Sequence, residues 1–334
     1  MIHGLKGEKE VLFEFDFSVT LSVRRSRLGA DGRLFAQDRK IMKSIWQQNI
    51  LELIRRTSCD LPHDVVVALE RARRRERNKS SARWALDTIL ENIRLARERG
   101  APLCQDTGTL LFYCRIPVGF DVVALSAVIR RAVREATRLG YLRQNTIDPL
   151  TDKACAGNIG SGVPSLHLEY VRASRVDIRL VLKGGGSENV SVQYSLPDAQ
   201  LNAGRDWDGV RRCALDAVQR AQGNGCAPGV LGIGVGGDRA SGAALAKRQL
   251  LRLLTDHSPN PRLARLERLI LREANRLGVG PMGFGGKTSL LGVKIGAMSR
   301  LPASYFVSVA YMCWAFRRRG MSLGMSGCVR RWLD

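Results

Sequence analysis

The sequence contains no long apolar run and no export signal. No segment approaches the ~18 or more uncharged apolar residues that a membrane-spanning helix requires, and no apolar core follows a basic start at the N-terminus. We therefore expect a soluble, cytoplasmic protein with no membrane partner. The length of 334 residues and the 45% hydrophobic content are sufficient for a sizeable buried core.

Eight cysteines are present, but none of them form a Cys-x-x-Cys pair. Without an export signal, a disulfide framework explains them poorly, so buried thiols or metal ligands remain. Three fall where regular elements are predicted to break: Cys104, Cys226 and Cys313. Three thiolates can hold a 4Fe-4S cluster and leave one iron open as a Lewis acid, although spacing alone does not establish such a site.

The formal charge of +22 raises the question of a polyanionic partner. The basic residues are not interleaved with aromatic ones, and neither zinc-finger spacing nor an RNA-binding signature is present. They occur in runs such as residues 71–79 and 317–319. These runs predict a solvated basic face, or one that meets an acidic partner or an anionic substrate, rather than a nucleic-acid site.

The order of patterns along the chain predicts an α+β fold, with a helical N-terminal part followed by a mixed α/β domain. Residues 1–40 show no sustained period and are expected to be an N-terminal extension of unknown fold. Helical spacing then continues to Gly100. Helices are also predicted at 122–139, 243–254 and 263–277, and strands at 176–182, 230–235, 290–295 and 306–309. Since neither a repeat nor a linker is evident, we expect one compact catalytic domain over residues 41–325.

Three glycine-rich turns, at residues 183–189, 232–238 and 278–288, are candidate anion sites because glycine exposes backbone N–H groups. The last turn ends in Gly-Lys-Thr, but Pro281 stands where a P-loop needs its first glycine. The middle turn is only loosely similar to a dinucleotide fingerprint. A nucleotide-binding enzyme therefore stays a weak alternative, and each turn is equally well explained as a tight connection.

Four segments together resemble the signature blocks of class I fumarases and of the α subunit of L-tartrate dehydratase. They are residues 102–109 (Pro-Leu-Cys-Gln-Asp-Thr-Gly-Thr), 183–189 (Lys-Gly-Gly-Gly-Ser-Glu-Asn), 232–237 (Gly-Ile-Gly-Val-Gly-Gly) and 277–288. They occur in the order that the family has, and the similarity extends over residues 41–319. The resemblance implies a lyase that reversibly adds water to a small dicarboxylate such as fumarate or tartrate.

The resemblance also implies roles for particular residues. Cys104, Cys226 and Cys313 would hold a 4Fe-4S cluster, and the other five cysteines would not be ligands. Asp106 would be a proton donor, and three residues would bind substrate: Gln105, Arg143 and Gly186. A planar guanidinium suits the carboxylate clamp that is implied for Arg143.

Two departures from the family pattern limit what the resemblance implies. Leu301 stands where family members carry a histidine, and leucine can neither hydrogen-bond nor carry a proton. The family pattern also includes a second domain with further catalytic residues, which these 334 residues do not contain. A separate β subunit is therefore expected to supply those residues, and the active protein is expected to be an oligomer. A divergent, catalytically inactive cluster-binding or basic polyanion-binding protein on the same scaffold is the alternative.

Overall fold

The computed structural model describes residues 36–333, with side chains from residue 44 onward. Residues 42–334 form a compact unit of their own. The fold is α+β, as the sequence predicts, with helices followed by two mixed sheets. The predicted extension at residues 1–40 lies almost entirely outside the described residues. No helix in the described part is long and apolar enough to cross a membrane.

Eight helices are described, and the first three account for the helical pattern up to Gly100. They are α1 (Ala36–Cys59), α2 (His63–Arg75), α3 (Ser81–Arg99), α4 (Val122–Arg138), α5 (Gly185–Asn189), α6 (Trp207–Ala221), α7 (Arg239–Gln249) and α8 (Pro261–Arg276). Gly100 ends α3 with a φ of 61°, a left-handed conformation that glycine adopts without strain. The predicted helix at 243–254 is displaced, since α7 begins earlier and ends at Gln249.

The described part of the chain contains nine strands, which form two sheets. The strands are β1 (Thr109–Pro117), β2 (Ser165–Val171), β3 (Arg175–Lys183), β4 (Val192–Ser195), β5 (Gly229–Val235), β6 (Leu290–Ala297), β7 (Phe306–Met312), β8 (Arg318–Gly324) and β9 (Val329–Trp332). The first sheet has the order β2-β1-β3-β8-β9 and the second β4-β7-β5-β6. Only the β1–β2 and β5–β6 pairs are parallel.

Three apolar clusters hold these layers together. One lies between the first sheet, α1 and α4, and another between the second sheet, α6 and α8. The third joins α2 and α3 to the opposite face of the first sheet and to β5, β7 and α7. Each Å² of apolar surface that is buried contributes about 25 cal/mol to stability, so such contacts are its main source. Since the third cluster includes residues of both sheets, the junction of the two sheets is part of the buried core.

Two glycines of the 232–238 segment allow a strand and a helix to pack closely. Gly232 and Gly234 lie within β5 and face α7. A Cβ on Gly232 would stand 2.2 Å from the carbonyl oxygen of Ala246, and one on Gly234 would stand 2.3 Å from that of Gly242. The helix can therefore approach this strand only because these positions lack side chains. The turn that was predicted over residues 232–238 is therefore confined to residues 236–238, between β5 and α7.

The run of three arginines at 317–319 is not the solvated face that its charge predicts. Arg317 is 1% exposed and Arg318 is 4% exposed, because the run lies where the chain leaves one sheet and begins β8 in the other. Charge density alone cannot distinguish a surface run from a strand start in the interior. The run at 71–79, in contrast, is largely exposed at the end of α2.

Candidate functional site

Two connections that cross between the sheets lie side by side. Residues 184–191 lead from β3 to β4, and residues 313–317 lead from β7 to β8. They are joined where Lys183 Nζ donates to the carbonyl oxygen of Tyr311 at 2.7 Å, and where the Leu182 N–H donates to the Arg317 carbonyl oxygen at 3.1 Å. The candidate site is built around this double crossing.

All three candidate ligand cysteines lie in loops that meet at this crossing. Cys104 lies in the loop between α3 and β1, Cys226 between α6 and β5, and Cys313 directly after β7. The N–H of Trp314 donates to the carbonyl oxygen of Cys226 at 3.1 Å, which fixes two of these loops to each other. All three residues are half-buried, and the Cys313 thiol donates to the carbonyl oxygen of Ala315 at 3.8 Å.

The three thiols are close enough to affect each other's ionisation. Burial raises the pKa of Cys226, and the charges of Cys104 and Asp106 add to this effect. Burial also raises the pKa of Cys313, where Cys226 and Cys104 again add and the Arg317 guanidinium opposes them. Such mutual repulsion among thiolates is relieved when a metal centre takes up their charge.

Asp106 is held between the first cysteine loop and the start of α5. Its Oδ2 accepts a hydrogen bond from the N–H of Gly185 at 2.6 Å, and its Oδ1 accepts one from the N–H of Gly108 at 3.1 Å. A Cβ on Gly184 would stand 2.8 Å from Oδ2, so glycine is required there for this contact. The carboxyl group is consequently fixed in one orientation beside Cys104.

Arg143 lies on an exposed loop that is attached to the same region by two residues that sequence reasoning missed. Its N–H donates to Thr107 Oγ1 at 3.3 Å, and its carbonyl oxygen accepts from Asn158 Nδ2 at 2.8 Å. Asn158 is 2% exposed, and its Oδ1 also accepts from the N–H groups of Asn145 and Thr146. The feature that marks Asn158 is its φ of 57°, a left-handed conformation that asparagine adopts more readily than most residues.

Gln105 and Gly186 are both exposed next to these residues. Gln105 lies between Cys104 and Asp106, and Gly186 is the second residue of α5. The first N–H groups of a helix have no acceptor within it, so the Gly186 N–H is available to a ligand. The structure thus brings Cys104, Cys226, Cys313 and Asp106 together, with Gln105, Gly186 and the Arg143 loop adjoining them.

Arg317 is a further component that the sequence prediction did not include. It is almost completely buried, yet its Nε and Nη1 have no hydrogen-bond partner among the described residues. Its Nη2 would lie 3.7 Å from a Cβ on Gly184, the same point that Asp106 approaches. Burial of a cation with unmet donors is costly unless an anion is bound nearby.

Within residues 36–333, no set of three or more His, Cys, Asp or Glu side chains is close enough to hold a single metal ion. A cluster of four irons holds its thiolates farther apart than one ion does, so this result does not conflict with a cluster site. Three interacting thiols beside a buried cation with free donors fit an anionic thiolate-ligated cluster. Cys114 and Cys213 instead lie inside two of the apolar clusters, where burial raises the pKa of each thiol to about 12.

Leu301 does not lie with these residues. It is 72% exposed in the loop that precedes β7, whereas Cys313 follows the opposite end of that strand. At about 3.3 Å per residue, the seven residues of β7 separate the two positions by roughly 20 Å. Leu301 therefore lies about one strand length from Cys313.

Comparison with known proteins gives a family match over most of the chain. The model of the family described as "Fumarate hydratase (Fumerase)" matches residues 47–322. A protein of Geobacillus stearothermophilus named "Putative fumarate hydratase class I" is 47% identical over 290 residues, which are 86% of this chain and 56% of that protein. The chain thus spans about half the length of this fumarase relative.

Two shorter relatives are matched over most of their lengths. A protein of Methanocaldococcus jannaschii named "Putative L(+)-tartrate dehydratase subunit alpha" is 33% identical over 80% of this chain and 94% of its own. The L(+)-tartrate dehydratase subunit alpha of Escherichia coli is 30% identical over 78% of this chain and 85% of its own. These matches define a hydro-lyase scaffold. The chain belongs to the class I fumarate hydratase and L(+)-tartrate dehydratase α-subunit family.

Proposed function

We propose that this chain is the α-type half of a 4Fe-4S-dependent hydro-lyase that acts on a small dicarboxylate such as fumarate, malate or tartrate. The observation that carries the proposal is the meeting of three cysteine loops at one crossing, where the thiols affect each other's pKa values and Arg317 supplies a buried positive charge. Membership of a hydro-lyase family supports the reaction class.

Cys104, Cys226 and Cys313 are the proposed ligands. When bound, a 4Fe-4S cluster with three thiolate ligands supplies an open iron, a Lewis acid for a hydroxyl or carboxylate oxygen. Arg317 balances the negative charge of the thiolates from the protein side. Its free donors suit sulfur or carboxylate acceptors, and their burial strengthens such bonds.

The remaining residues bind and orient the substrate. Arg143 offers a guanidinium fork to one carboxylate, while the Gln105 amide and the Gly186 N–H donate to substrate oxygens. Asp106 is the proposed proton donor for loss of the hydroxyl group, and its two backbone hydrogen bonds fix the carboxyl group in position. A base that removes the α proton is not among these residues, so we assign it to a second chain of the β-subunit kind.

Iron and acid-labile sulfide analysis of protein purified without oxygen tests the proposal. We expect about four irons and four sulfides per wild-type chain and none in the Cys104→Ser, Cys226→Ser, Cys313→Ser triple variant. A matched Cys59→Ala, Cys155→Ala, Cys328→Ala variant should keep its iron. Iron-free wild-type protein after anaerobic reconstitution, or equal iron in both variants, would rule out this ligand set.

The reaction is tested by co-expressing the chain with a β-subunit homologue and following fumarate hydration or tartrate dehydration. We expect turnover only when both chains are present, because the α-type residues lack the base. Turnover that survives the triple cysteine substitution would contradict a cluster-dependent reaction. Cluster-loaded protein that turns over none of the three dicarboxylates with β present would contradict the substrate class.

A further inference from the structure

A second, strongly basic cleft lies apart from the cysteine loops. It has a volume of about 530 Å³, within the range of small-molecule sites. Its walls are the β3, β8 and β9 strands of the first sheet and the segment 251–256 that follows α7. Five arginines line it: Arg179, Arg252, Arg318, Arg319 and Arg331.

The positive charge of this cleft is only partly compensated. Three arginines are paired with carboxylates: Arg252 with Asp256, Arg318 with Asp64 and Arg319 with Asp60. Neither Arg179 nor Arg331 makes an ion pair in the part of the chain that the structure describes. Among the described residues, Asp256 is the only acidic one that lines the cleft. The wall therefore carries an excess of guanidinium groups, and a bound anion would relieve their repulsion.

The base of the cleft contains a buried cation with an unused donor. Arg318 is 4% exposed, and its Nε has no partner among the described residues. Burial lowers the pKa of Arg318 although Asp64 opposes this, and Arg179 lowers it further. Burial also lowers the pKa of Arg179, to which Arg331 contributes. Burial and the neighbouring arginines thus disfavour the charged forms of Arg318 and Arg179.

We propose that this cleft binds a small anion that carries a pyrophosphate or two phosphate groups. Arg179, whose Nη1 donates to the Leu251 carbonyl oxygen at 3.1 Å, and Arg331 line the cleft with guanidinium groups that have no carboxylate partner among the described residues. Such groups match phosphate oxygens in pairs. Within residues 44–333, two of the five guanidinium groups have no carboxylate partner, which is more positive charge than one carboxylate would neutralise. Apolar groups of Leu251, Trp332 and Leu333 complete the wall, so an organic part of the ligand can be covered.

The cleft is distinct from the proposed dicarboxylate site. Arg317, the residue before β8, approaches Gly184 beside the cysteine loops, whereas Arg318, the first residue of β8, lines the cleft. The two sites therefore share the start of β8 but no lining residue. The proposal is independent of the cluster, so it can be tested in metal-free protein.

Calorimetric titration of the full chain with inorganic pyrophosphate at constant ionic strength provides the test. We expect saturable binding at one site. The Arg179→Gln, Arg331→Gln variant should weaken it by at least about tenfold, since each fork contributes charge-assisted hydrogen bonds. Both residues are exposed, so the variant is expected to fold, which its thermal unfolding will check.

The matched control is Arg262→Gln, Arg265→Gln, which removes the same charge from exposed positions of α8. It should bind pyrophosphate like the wild type. No binding by wild-type protein, or equal weakening in both variants, would overturn the proposal. Titrations with inorganic phosphate and with malate distinguish a pyrophosphate-type ligand from other oxyanions. Weaker binding of both anions than of pyrophosphate supports the proposal. Tighter binding of malate than of pyrophosphate, at a site that depends on Arg179 and Arg331, overturns it.

Discussion

Lys183 Nζ donates to the carbonyl oxygen of Tyr311 at 2.7 Å and thereby ties the end of β3 in one sheet to the end of β7 in the other. The same ammonium group is 2.8 Å from Glu188 Oε2, and Glu188 Oε1 is 2.5 Å from Lys247 Nζ. Burial lowers the pKa of Lys183 although Glu188 opposes this. One buried cation therefore holds the crossing on which the three cysteine loops converge.

Replacing this cation should destabilise the protein. Lys183→Met leaves the Tyr311 carbonyl without its donor and removes one partner of Glu188, so we expect a loss of about 2–3 kcal/mol in the free energy of unfolding. Urea denaturation of the metal-free protein measures it. The exposed Lys79→Met variant is the control and should change stability by less than about 0.5 kcal/mol. Equal stability of the two variants would contradict a structural role for this contact.

Replacing Arg317, in contrast to replacing Lys183, is expected not to destabilise the metal-free protein. Because its Nε and Nη1 have no partners among the described residues, Arg317→Met should leave the metal-free protein as stable as the wild type or more stable by about 1–4 kcal/mol. The same variant should lose iron faster under anaerobic chelation, while Arg317→Lys retains part of the effect. A lower melting temperature with unchanged iron retention would show that Arg317 supports the fold alone.

Asn158 links the Arg143 loop to α4, because its Nδ2 donates both to the Arg143 carbonyl oxygen at 2.8 Å and to Thr137 Oγ1 at 3.0 Å. Asn158→Ala leaves the N–H groups of Asn145 and Thr146 without their acceptor and the Arg143 carbonyl oxygen without its donor. We therefore expect a loss of about 2–4 kcal/mol in the free energy of unfolding and weaker substrate binding. Asn202→Ala is a matched control, because Asn202 has a similar φ of 48° and is exposed. Urea denaturation of both variants separates the lost hydrogen bonds from left-handed strain, and equal costs would contradict this role of the Asn158 amide.

Gly186→Ala is expected to weaken substrate binding without destabilising the fold. A Cβ there would be 3.8 Å from the Asn224 carbonyl oxygen, an ordinary contact, so the melting temperature should stay the same. The methyl group would nevertheless obstruct a substrate carboxylate at the backbone, and KM should rise by roughly tenfold or more. Gly234→Ala, which clashes with α7, should instead lower the melting temperature. Unchanged KM in Gly186→Ala would remove Gly186 from the proposed site.

Local patterns predicted much of this fold because they report local structure. Period two identified β3, helical spacing identified α4 and α8, and the cysteine loops were predicted at breaks between elements. Strand β8 was not predicted because its arginines resemble a surface run. Arg317 and Asn158 were missed because their roles depend on partners more than ten residues away in the chain. The meeting of the cysteine loops depends on two crossings between sheets, which no local pattern encodes.

His167 provides a test of pH dependence away from the cysteines. Its ring stacks on Tyr113 with centroids 4.5 Å apart, and burial lowers its pKa from the ordinary value of 6.5, with Lys247 and Arg248 adding to the shift. The unfolded chain therefore binds this proton more readily than the folded protein does. Stability from this group is complete above pH 6.5 and is lost as the pH falls below it, by at most about 1.4 kcal/mol per pH unit.

His167→Gln removes this contribution, so its cost in unfolding free energy should be larger at pH 7.5 than at pH 5.5. Urea denaturation of metal-free protein at both pH values measures the difference. His257→Gln, at an exposed position, should show the same small cost at both. A cost of His167→Gln that does not vary with pH would mean that the imidazole titrates alike in the folded and unfolded chains, and that Lys247 and Arg248 exert no net effect on it.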